Sequence, residues 1–394
     1  MIQIQLKLKL NKKQEGILEE WLLILFRVWN WAIRKIELDK VGKAYYKDTK
    51  VKFDRVGKIC YTENTFKNLL AHHSKKLGIP SHTIQGILET AWRAWDRCYK
   101  QKAKKPKLKG ARNKLHSIPF PDPISRPKDF RVKFPILGLL KYHKQEVPEG
   151  KIKCGRIIKR ASGWYLCLFI DTKPQAIPHK KNKAVGIDPG FTTHLTTTDE
   201  ELNQIARETK KDRFREIEER LKQAQKGKDK KLVSRLMERL KNRRKDDHHK
   251  LSRKLVENCE EIYFSKDNLQ SISKKPKPQK KKNGKFKKSI RFGKSVSEAG
   301  HYQLRQMISY KCTASGRIFM EVESKDSTKT CSECKAKTGP TGKAGLSVRQ
   351  WKCTECGAQH DRDKNAAENT LFCGKKITYE QKHPLLGSGR ASSL

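Results

Sequence analysis

The sequence predicts an α/β protein of several domains, because strand-like and helix-like apolar patterns alternate along it and two cysteine pairs follow at residues 331–356. Its 394 residues are enough for two or three packed units. Residues 2–10 alternate apolar and polar side chains, which predicts a half-buried strand. Residues 14–39 and 83–100 carry apolar side chains at helical spacing, and we interpret their tryptophans as packing residues.

The later segments continue this mixed pattern. Short apolar segments predict strands at residues 130–134, 152–158 and 164–170. Another apolar run, residues 184–188, ends in an acid that is followed by a Pro-Gly turn. Residues 207–257 are highly charged, with leucines at helical spacing, and predict long helices. The remaining predictions are a strand, a helix and a strand, at residues 260–264, 299–314 and 317–322.

The charge balance indicates a polyanionic partner. The formal net charge is +48, and an excess of this kind is typical of proteins that bind nucleic acid. No apolar run approaches the roughly 18 residues that a membrane-spanning helix needs. The first residues lack the basic-then-apolar profile of a secretory signal. The sequence therefore predicts a cytoplasmic protein without a membrane partner, which DNA binding would associate with the nucleoid.

Four cysteines have the spacing of a metal site. Cys331 and Cys334 flank two residues, as do Cys353 and Cys356, and residues 335–352 separate the two pairs. This spacing is typical of a four-thiolate zinc ribbon. Four thiolates close a tetrahedral site without an open position, so the predicted Zn²⁺ is structural rather than catalytic.

Two aspartates stand where a divalent cation could bind. Asp188 ends the strand predicted at residues 184–188, and such strand ends collect at one edge of a parallel sheet. Asp363 opens a predicted helix that continues with Ala366 and Ala367. Each aspartate also has a simpler interpretation, as a turn residue for Asp188 and as a helix cap for Asp363. Their occurrence with the ribbon favours a nucleic-acid enzyme, because two-metal phosphodiester hydrolysis needs convergent carboxylates.

The order of these motifs resembles that of a known family. Gly186-Ile187-Asp188 precedes a strand, the two cysteine pairs and the Asp-Arg-Asp-x-Asn-Ala-Ala run at residues 361–367. This order is similar to that of the TnpB family of transposon-encoded RNA-guided DNA nucleases, which are relatives of type V CRISPR effectors. The Trp-Asn-Trp-Ala run at residues 29–32 and the basic connector at residues 105–110 also resemble positions of that family.

The resemblance implies a multidomain α/β architecture. A RuvC-like nuclease domain of ribonuclease H fold would be split by the zinc ribbon, and a β-barrel wedge domain and a helical recognition insert would precede it. The implied boundaries are 1–12 and 111–180 for the wedge, 13–110 for recognition, 181–327 and 358–373 for the nuclease, 328–357 for the ribbon and 374–394 for a flexible tail.

The resemblance also implies an activity. A guide RNA derived from the transposon end would direct the protein to double-stranded target DNA beside a short flanking motif, and two Mg²⁺ ions would support cleavage. Asp188 would be the first catalytic carboxylate and Asp363 the last. The implied zinc ligands are Cys331, Cys334, Cys353 and Cys356.

The middle carboxylate departs from the family pattern. Most members have Glu-Asp-Leu where this chain has Asp-Asn-Leu, which makes Asp267 one candidate. Glu321 is the other, because some relatives without the usual glutamate resemble this chain around that residue and are thought to use a displaced glutamate. Together with Asp188 and Asp363, Glu321 would bind the catalytic Mg²⁺.

Three other functions agree with parts of the pattern. A nuclease-inactive relative would act as an RNA-guided DNA-binding repressor, and a compact type V CRISPR effector would share the same core. A zinc-ribbon nucleic-acid-binding factor without catalysis would explain the charge and the cysteines, but it would leave Asp188 and Asp363 without a role.

Overall fold

The computed structural model describes residues 2–38, 52–53, 59–60, 63–110, 114–172, 176–190, 194–208, 212–266, 273, 293–323, 325–341, 345 and 347–382. The chain divides into two compact units, residues 1–174 and 175–394. Each unit has its own sheet and its own apolar core. None of the helices within the described ranges has an apolar stretch long enough to cross a membrane.

The first unit combines a six-stranded sheet with several helices. The strand predicted at residues 2–10 and the helices predicted at 14–39 and 83–100 are confirmed, with ends that differ by one or two residues. Its elements are β1 (Ile2–Lys9), α1 (Lys12–Leu38), β2 (Lys52–Phe53), β3 (Ile59–Cys60), α2 (Glu63–Asn68), a 3-10 turn (Ala71–His73), α3 (Ser74–Leu77), α4 (Ser81–Tyr99), β4 (Ser117–Phe120), β5 (Arg131–Phe134), β6 (Gly138–Tyr142), β7 (Lys151–Arg160) and β8 (Gly163–Asp171).

The large sheet of the first unit is antiparallel throughout. Its strand order is β4-β7-β8-β1-β6-β5, so β1 lies between strands that come much later in the chain. Among the described residues β4 and β5 are its two edges, and the predicted barrel takes the form of an open half-barrel. The alternation in residues 2–10 follows from this position, because one face of β1 packs on the core.

The tryptophans of α1 and α4 are packing residues, as predicted. Trp21 and Trp95 are almost completely buried. Trp31 and Trp92 are partly buried and contact Phe66 of α2, with ring centroids 6.3 and 5.3 Å from the phenylalanine ring. These aromatic contacts join α1, α2 and α4.

The basic connector lies against α1. The Trp29 indole N–H donates to the carbonyl of Lys107 at 3.3 Å. Asn30 donates to the carbonyl of Lys109 at 3.1 Å and accepts from its N–H at 2.7 Å. Two adjacent side chains of α1 therefore hold the backbone of a segment almost 80 positions later in the sequence.

The second unit contains a four-stranded sheet, helices on both of its faces and a small two-stranded ribbon. The strands predicted at residues 184–188, 260–264 and 317–322 and the helix predicted at 299–314 are confirmed. Its elements are β9 (Lys183–Pro189), β10 (Leu195–Thr197), α5 (Glu200–Glu208), α6 (Asp212–Lys226), α7 (Lys230–Asn258), β11 (Cys259–Lys266), α8 (Gly293–Ala299), α9 (His301–Ala314), β12 (Ile318–Glu323), β13 (Gln350–Lys352), β14 (Gln359–Asp361) and α10 (Arg362–Lys382).

Three of the four strands of this sheet are parallel. The order is β10-β9-β11-β12, in which β9, β11 and β12 are parallel and β10 pairs antiparallel with β9. One row across the sheet contains Gly186, Tyr263 and Met320, and the next row contains Ile187, Phe264 and Glu321. This mixed sheet is consistent with the predicted RuvC-like fold.

The two faces of the sheet are covered differently. Ile187 and Phe264 lie in an apolar core with residues of α7 and α9, including Leu255 and Leu304. On the other face α10 packs so closely that a Cβ atom on Gly186 would lie 2.7 Å from the backbone nitrogen of Leu371. Gly186 is therefore required by the close approach of strand and helix rather than by its backbone angles.

Helix α10 extends further than the sequence predicts. It continues to Lys382, although the flexible tail was predicted to begin at residue 374. Gly374 lies against the ring of Tyr263, and the buried hydroxyl of Thr378 lies 3.0 Å from the Tyr263 hydroxyl. The beginning of the predicted tail is thus a packed helix.

We expect Gly186→Ala to destabilise the second unit. The added methyl group would overlap backbone atoms of α10, which cannot rotate away as a flexible side chain can. Overpacking of this kind costs at least ~1–3 kcal/mol. Thermal unfolding followed by circular dichroism should show a lower transition temperature.

Gly227→Ala is the matched control. Its added Cβ would meet only the carbonyl oxygens of Gln223 and Ala224, at 3.6 and 3.9 Å. Equal transition temperatures for the two variants would contradict the packing of α10 against β9.

Candidate functional site

Asp188 lies within a strand and not in the turn that follows it. It is paired with Thr196 in the β9–β10 ladder, and β9 continues to Pro189. The hairpin then closes with the Gly190 N–H donating to the carbonyl of His194 at 3.3 Å. The simpler interpretation of Asp188 as a turn residue therefore does not describe its position.

Asp363 lies in the first turn of α10, but another residue caps this helix. The carboxylate of Asp361 accepts hydrogen bonds from the N–H groups of Asp363 and Lys364, both at 3.0 Å. Both carboxylate oxygens of Asp363 instead contact Nη1 of Arg349, at 3.2 and 3.0 Å. A metal ion at Asp363 would have to share the carboxylate with this guanidinium or displace it.

Helix α10 runs antiparallel to the strands that it covers. Gly374 lies beside the ring of Tyr263 on β11. The ring points toward the beginning of its strand, because its hydroxyl donates to Glu261 at 2.8 Å and meets Thr378 at 3.0 Å. Later positions on the helix therefore lie over earlier positions on the strand, and α10 begins over the carboxyl edge of the sheet.

Asp188 and Asp363 consequently lie on the same face and at the same edge of the sheet. Strand alternation places Asp188 on the face of Gly186, which α10 covers at Ala367. Asp188 lies two positions beyond Gly186, toward the carboxyl edge. Asp363 lies about one helical turn before Ala367, toward that same edge. From these spacings we infer that Asp188 and Asp363 lie toward one edge of the sheet.

Glu321 reaches the same end of the sheet on the other face. It lies in the row of Ile187 and Phe264, whose side chains are in the core beneath α7 and α9. Its carboxylate accepts from Nη1 of Arg305 on α9 at 3.0 Å. Glu321 therefore points away from the face that carries Asp188.

Asp267, the other candidate, lies outside the described residues. The described part of β11 ends at Lys266. Ser265 is buried and is aligned with Val322, one row beyond Glu321, so it is on the face of Asp188.

Three buried histidines lie close together, and one of them, His194, follows Asp188 in the chain. The His194 ring is 5.3 Å from that of His248 on α7 and 5.2 Å from that of His301 on α9, measured between centroids. Burial, and then the nearby Arg244 guanidinium, lower the pKa of His248 to about 4. His248 is consequently neutral near pH 7, and it packs as a neutral ring.

The predicted zinc ribbon, residues 328–357, contains two cysteine turns with the same hydrogen-bond pattern. In the first, the Cys331 N–H donates to Ala336 and its carbonyl accepts from Lys335, at 2.8 and 3.1 Å. In the second, Cys353 makes the corresponding bonds with Ala358 and Gly357, also at 2.8 and 3.1 Å. Each turn contains one residue in the left-handed region, Lys335 with φ 64° and Gly357 with φ 72°.

These turns place four sulfur atoms in one cluster. The sulfurs of Cys331, Cys334, Cys353 and Cys356 all lie within 4.8 Å of one another. The Cys331–Cys356 and Cys334–Cys353 separations are 3.7 and 3.6 Å. Sulfurs on a tetrahedral zinc ion at ~2.3 Å lie about 3.8 Å apart. The four cysteines could therefore hold a metal ion with little movement.

Two further side chains contact these sulfurs. The Thr338 hydroxyl donates to Cys353 Sγ at 3.1 Å, and His360 Nε2 lies 3.0 Å from Cys331 Sγ. His360 is buried beside Trp351, with ring centroids 4.7 Å apart. Groups of this kind orient thiolate ligands and disperse their negative charge.

Sequence reasoning did not assign roles to three residues that the structure places at these sites. They are Arg349 at the Asp363 carboxylate, His360 at the Cys331 sulfur and Asn365 beside the first cysteine turn. His360 and Asn365 belong to the run that follows the last cysteine, so their position was a usable signal. Arg349 is one of many basic residues, and nothing in the sequence distinguishes it.

Two segments of the chain match known protein families. Residues 168–274 match the family described as "Probable transposase", and residues 301–370 match the family described as "Cas12f1-like, TNB domain". The first segment includes Asp188 and Asp267. The second includes Glu321, Asp363 and all four cysteines of the ribbon.

Individual relatives are similar over shorter segments. A Streptomyces pristinaespiralis protein named as a candidate RNA-guided DNA endonuclease is 40% identical over 94 residues, which are 24% of this chain and 21% of that protein. A TnpB-like protein of Acanthamoeba polyphaga mimivirus is 30% identical over 123 residues, which are 31% of this chain and 21% of that protein. The matches thus span about a fifth of the length of these relatives.

A solved structure resembles most of the chain in fold. It is the cryo-EM structure of a Cas12f1–sgRNA–target DNA complex, with a TM-score of 0.52 and 14% sequence identity. The match covers 92% of this chain and 83% of the Cas12f1 chain. The multidomain α/β architecture and the two matching segments therefore confirm that the chain resembles TnpB and Cas12f1-like proteins.

Proposed function

We propose that the chain is a transposon-encoded RNA-guided DNA endonuclease that cleaves target DNA beside a short flanking motif. The observation that carries this proposal is the position of Asp188 and Asp363 on one face and at one edge of the second-unit sheet. Asp188 is paired with Thr196 in the β9–β10 ladder, and Asp361 rather than Asp363 caps α10. The name of the Streptomyces pristinaespiralis relative gives the same activity, and the Cas12f1 structure is a complex with sgRNA and target DNA.

The two aspartates fit a hard divalent cation. Carboxylate oxygens are the ligands that Mg²⁺ prefers, and Mg²⁺ retains several waters when few protein ligands are present. Asp188 and Asp363 would hold the catalytic ions, and a bound ion would supply an activated water and stabilise charge on the phosphate. The chain itself contributes the orientation of both carboxylates, Asp188 through β9 and Asp363 through the first turn of α10.

Whether a third carboxylate joins Asp188 and Asp363 decides between cleavage and guided binding without cleavage. Glu321 would have to leave Arg305 and turn around the edge strand to join Asp188. Asp267 lies two positions after Ser265 in the sequence. The side chain of Ser265 is on the same face of the sheet as Asp188. We therefore favour Asp267 as the middle ligand. The orientation of Glu321 also supports the second candidate function, a nuclease-inactive RNA-guided repressor.

Zn²⁺ in the ribbon would have a structural role. The four thiolates would leave no open coordination position, and the Thr338 and His360 contacts would complete the surroundings of two sulfurs. The hard-ligand and soft-ligand sites would select different metals, because Mg²⁺ prefers carboxylates and zinc binds thiolates well.

Base pairing with a guide RNA would supply the sequence recognition. The protein would bind the RNA–DNA backbone through lysine and arginine, which accounts for the net charge of +48. Candidate basic segments are residues 102–112, 239–245 and 274–288, although Arg112 and the last segment lie outside the described residues. A compact type V CRISPR effector would use the same chemistry. We place this activity in the cytoplasm, on the nucleoid.

Asp188→Ala should abolish cleavage without abolishing guided binding. The variant loses a metal ligand, and we expect the single-turnover rate to fall by ~10³-fold or more. The assay combines the protein, RNA transcribed from beside its gene, Mg²⁺ and matching DNA with randomised flanks. Cleavage by Asp188→Ala at the wild-type rate would contradict the assignment. Specific binding by the wild type without any cleavage would establish the repressor instead.

Asp267→Ala and Glu321→Ala should differ in the same assay. We expect Asp267→Ala to be inactive and Glu321→Ala to retain cleavage, since Glu321 faces α9. Glu323→Ala is the matched control, because Glu323 is exposed on the same strand as Glu321. Loss of cleavage in Glu321→Ala alone would reverse the assignment.

Cys334→Ser should release the ribbon metal. Three thiolates and a hydroxyl bind zinc less well than four thiolates, so we expect zinc per chain to fall and the unfolding temperature to decrease. Elemental analysis of the purified protein measures the metal. Cys373→Ser, at an exposed cysteine outside the cluster, is the control. Full zinc occupancy in Cys334→Ser would contradict the proposed site.

A further inference from the structure

Two asparagines of α10 bind the same pair of backbone carbonyls. Asn365 donates to the carbonyls of Ser327 and Thr330 at 3.1 and 2.8 Å. Asn369, one helical turn later, donates to the same two carbonyls at 2.9 and 2.7 Å. Both side chains are buried, with 1% and 6% of their surface exposed. Buried amides held in this way are costly to disrupt, because each lost partner leaves a desolvated polar group.

These bonds surround the first cysteine of the ribbon. Thr330 directly precedes Cys331, and its N–H donates to Asp326 at 2.9 Å in the turn that enters the ribbon. Ser332 directly follows Cys331, and its N–H donates to Asn365 Oδ1 at 2.8 Å. One asparagine side chain therefore fixes the backbone on both sides of Cys331.

The contacts require an amide and not merely a polar side chain. Asn365 donates through its nitrogen to two carbonyls and accepts through its oxygen from one N–H. An aspartate of the same shape could accept from Ser332, but it would place a negative oxygen against the carbonyls of Ser327 and Thr330. This difference makes Asn365→Asp a selective change.

The first turn of α10 also bonds to a residue in the second half of the ribbon. The Arg362 N–H donates to the carbonyl of Arg349 at 2.8 Å, and the Arg349 side chain contacts Asp363. Asp363, two residues before Asn365, therefore lies between two attachments to the ribbon. A shift of the ribbon would move this carboxylate.

We infer that Asn365 and Asn369 are positioning residues that couple the ribbon metal site to the Asp363 carboxylate. The inference rests on the proposed function, because it assigns the ribbon a role in cleavage. The four cysteines would hold the metal and so fix the Cys331 turn, the asparagines would transmit this position to α10, and Asp363 would thereby be held for cation binding. Misplacement of a reacting group by ~1 Å can cost on the order of a hundredfold in rate.

The test compares Asn365→Asp and Asn369→Asp with the wild type and with Asn258→Asp. Asn258 is a half-buried asparagine of the same unit, and its side chain donates to the carbonyl of Lys254 in its own helix. For each protein we would measure zinc content, guided DNA binding and the single-turnover cleavage rate as a function of Mg²⁺ concentration. The expected result is retained zinc and binding, with cleavage slowed by about tenfold or more, or with a higher half-saturating Mg²⁺ concentration. Wild-type rates and Mg²⁺ dependence in both α10 variants would overturn the inference.

A second measurement does not depend on activity. Hydrogen–deuterium exchange of the wild-type chain is recorded for residues 361–370 before and after the ribbon metal is removed with a chelator. We expect faster exchange at the start of α10 after removal, while exchange in α6 is unchanged. Unchanged protection at residues 361–370 would overturn the coupling, even if the variants do not fold. A wild-type protein that does not cleave DNA would contradict the proposed function. The exchange measurement would still test whether the ribbon and the start of α10 are coupled.

Discussion

The contact of α10 with Gly186 is the constraint on which the second unit depends. Because a side chain at that position would overlap the helix backbone, the helix can approach β9 closely only where glycine is present. The approach fixes both the depth and the direction of α10 on the sheet, with Tyr263, Gly374 and Thr378 as the second point of contact. The position of Asp363 relative to Asp188 follows from this packing, since each lies a fixed number of residues from the contact.

The ribbon is inserted between β12 and α10, and α10 begins directly after β14. Its two turns share one hydrogen-bond pattern and bring four sulfurs within 4.8 Å. The insertion is not simply tethered at its ends, because Asn365, Asn369 and Arg349 bond it to the first turns of α10. The four sulfurs and the Asp363 carboxylate are consequently both linked to the first turns of α10, and the two ligand types suit different classes of metal ion.

The sequence allowed much of this arrangement to be predicted. Apolar alternation and helical spacing gave the main strands and helices, and the cysteine spacing gave the sulfur cluster. The sequence could not show on which face of β12 the Glu321 side chain lies. An edge strand with acids at alternate positions does not reveal which helices cover each of its faces. The sequence offered Asp363 as a helix cap, whereas the backbone geometry assigns that role to Asp361. The length of α10 depends on its contact with Tyr263, which is distant in sequence.

We propose that Asp188 and Asp363 form one cation site, and the anomalous scattering of Mn²⁺ would locate an ion bound there. Crystals of the full chain, grown with its guide RNA and a matching DNA, would be soaked with Mn²⁺ in place of Mg²⁺. We expect an anomalous peak within coordination distance of both carboxylates, at the carboxyl edge of the second-unit sheet. Mn²⁺ bound elsewhere, with Asp188 and Asp363 each without a peak, would contradict it.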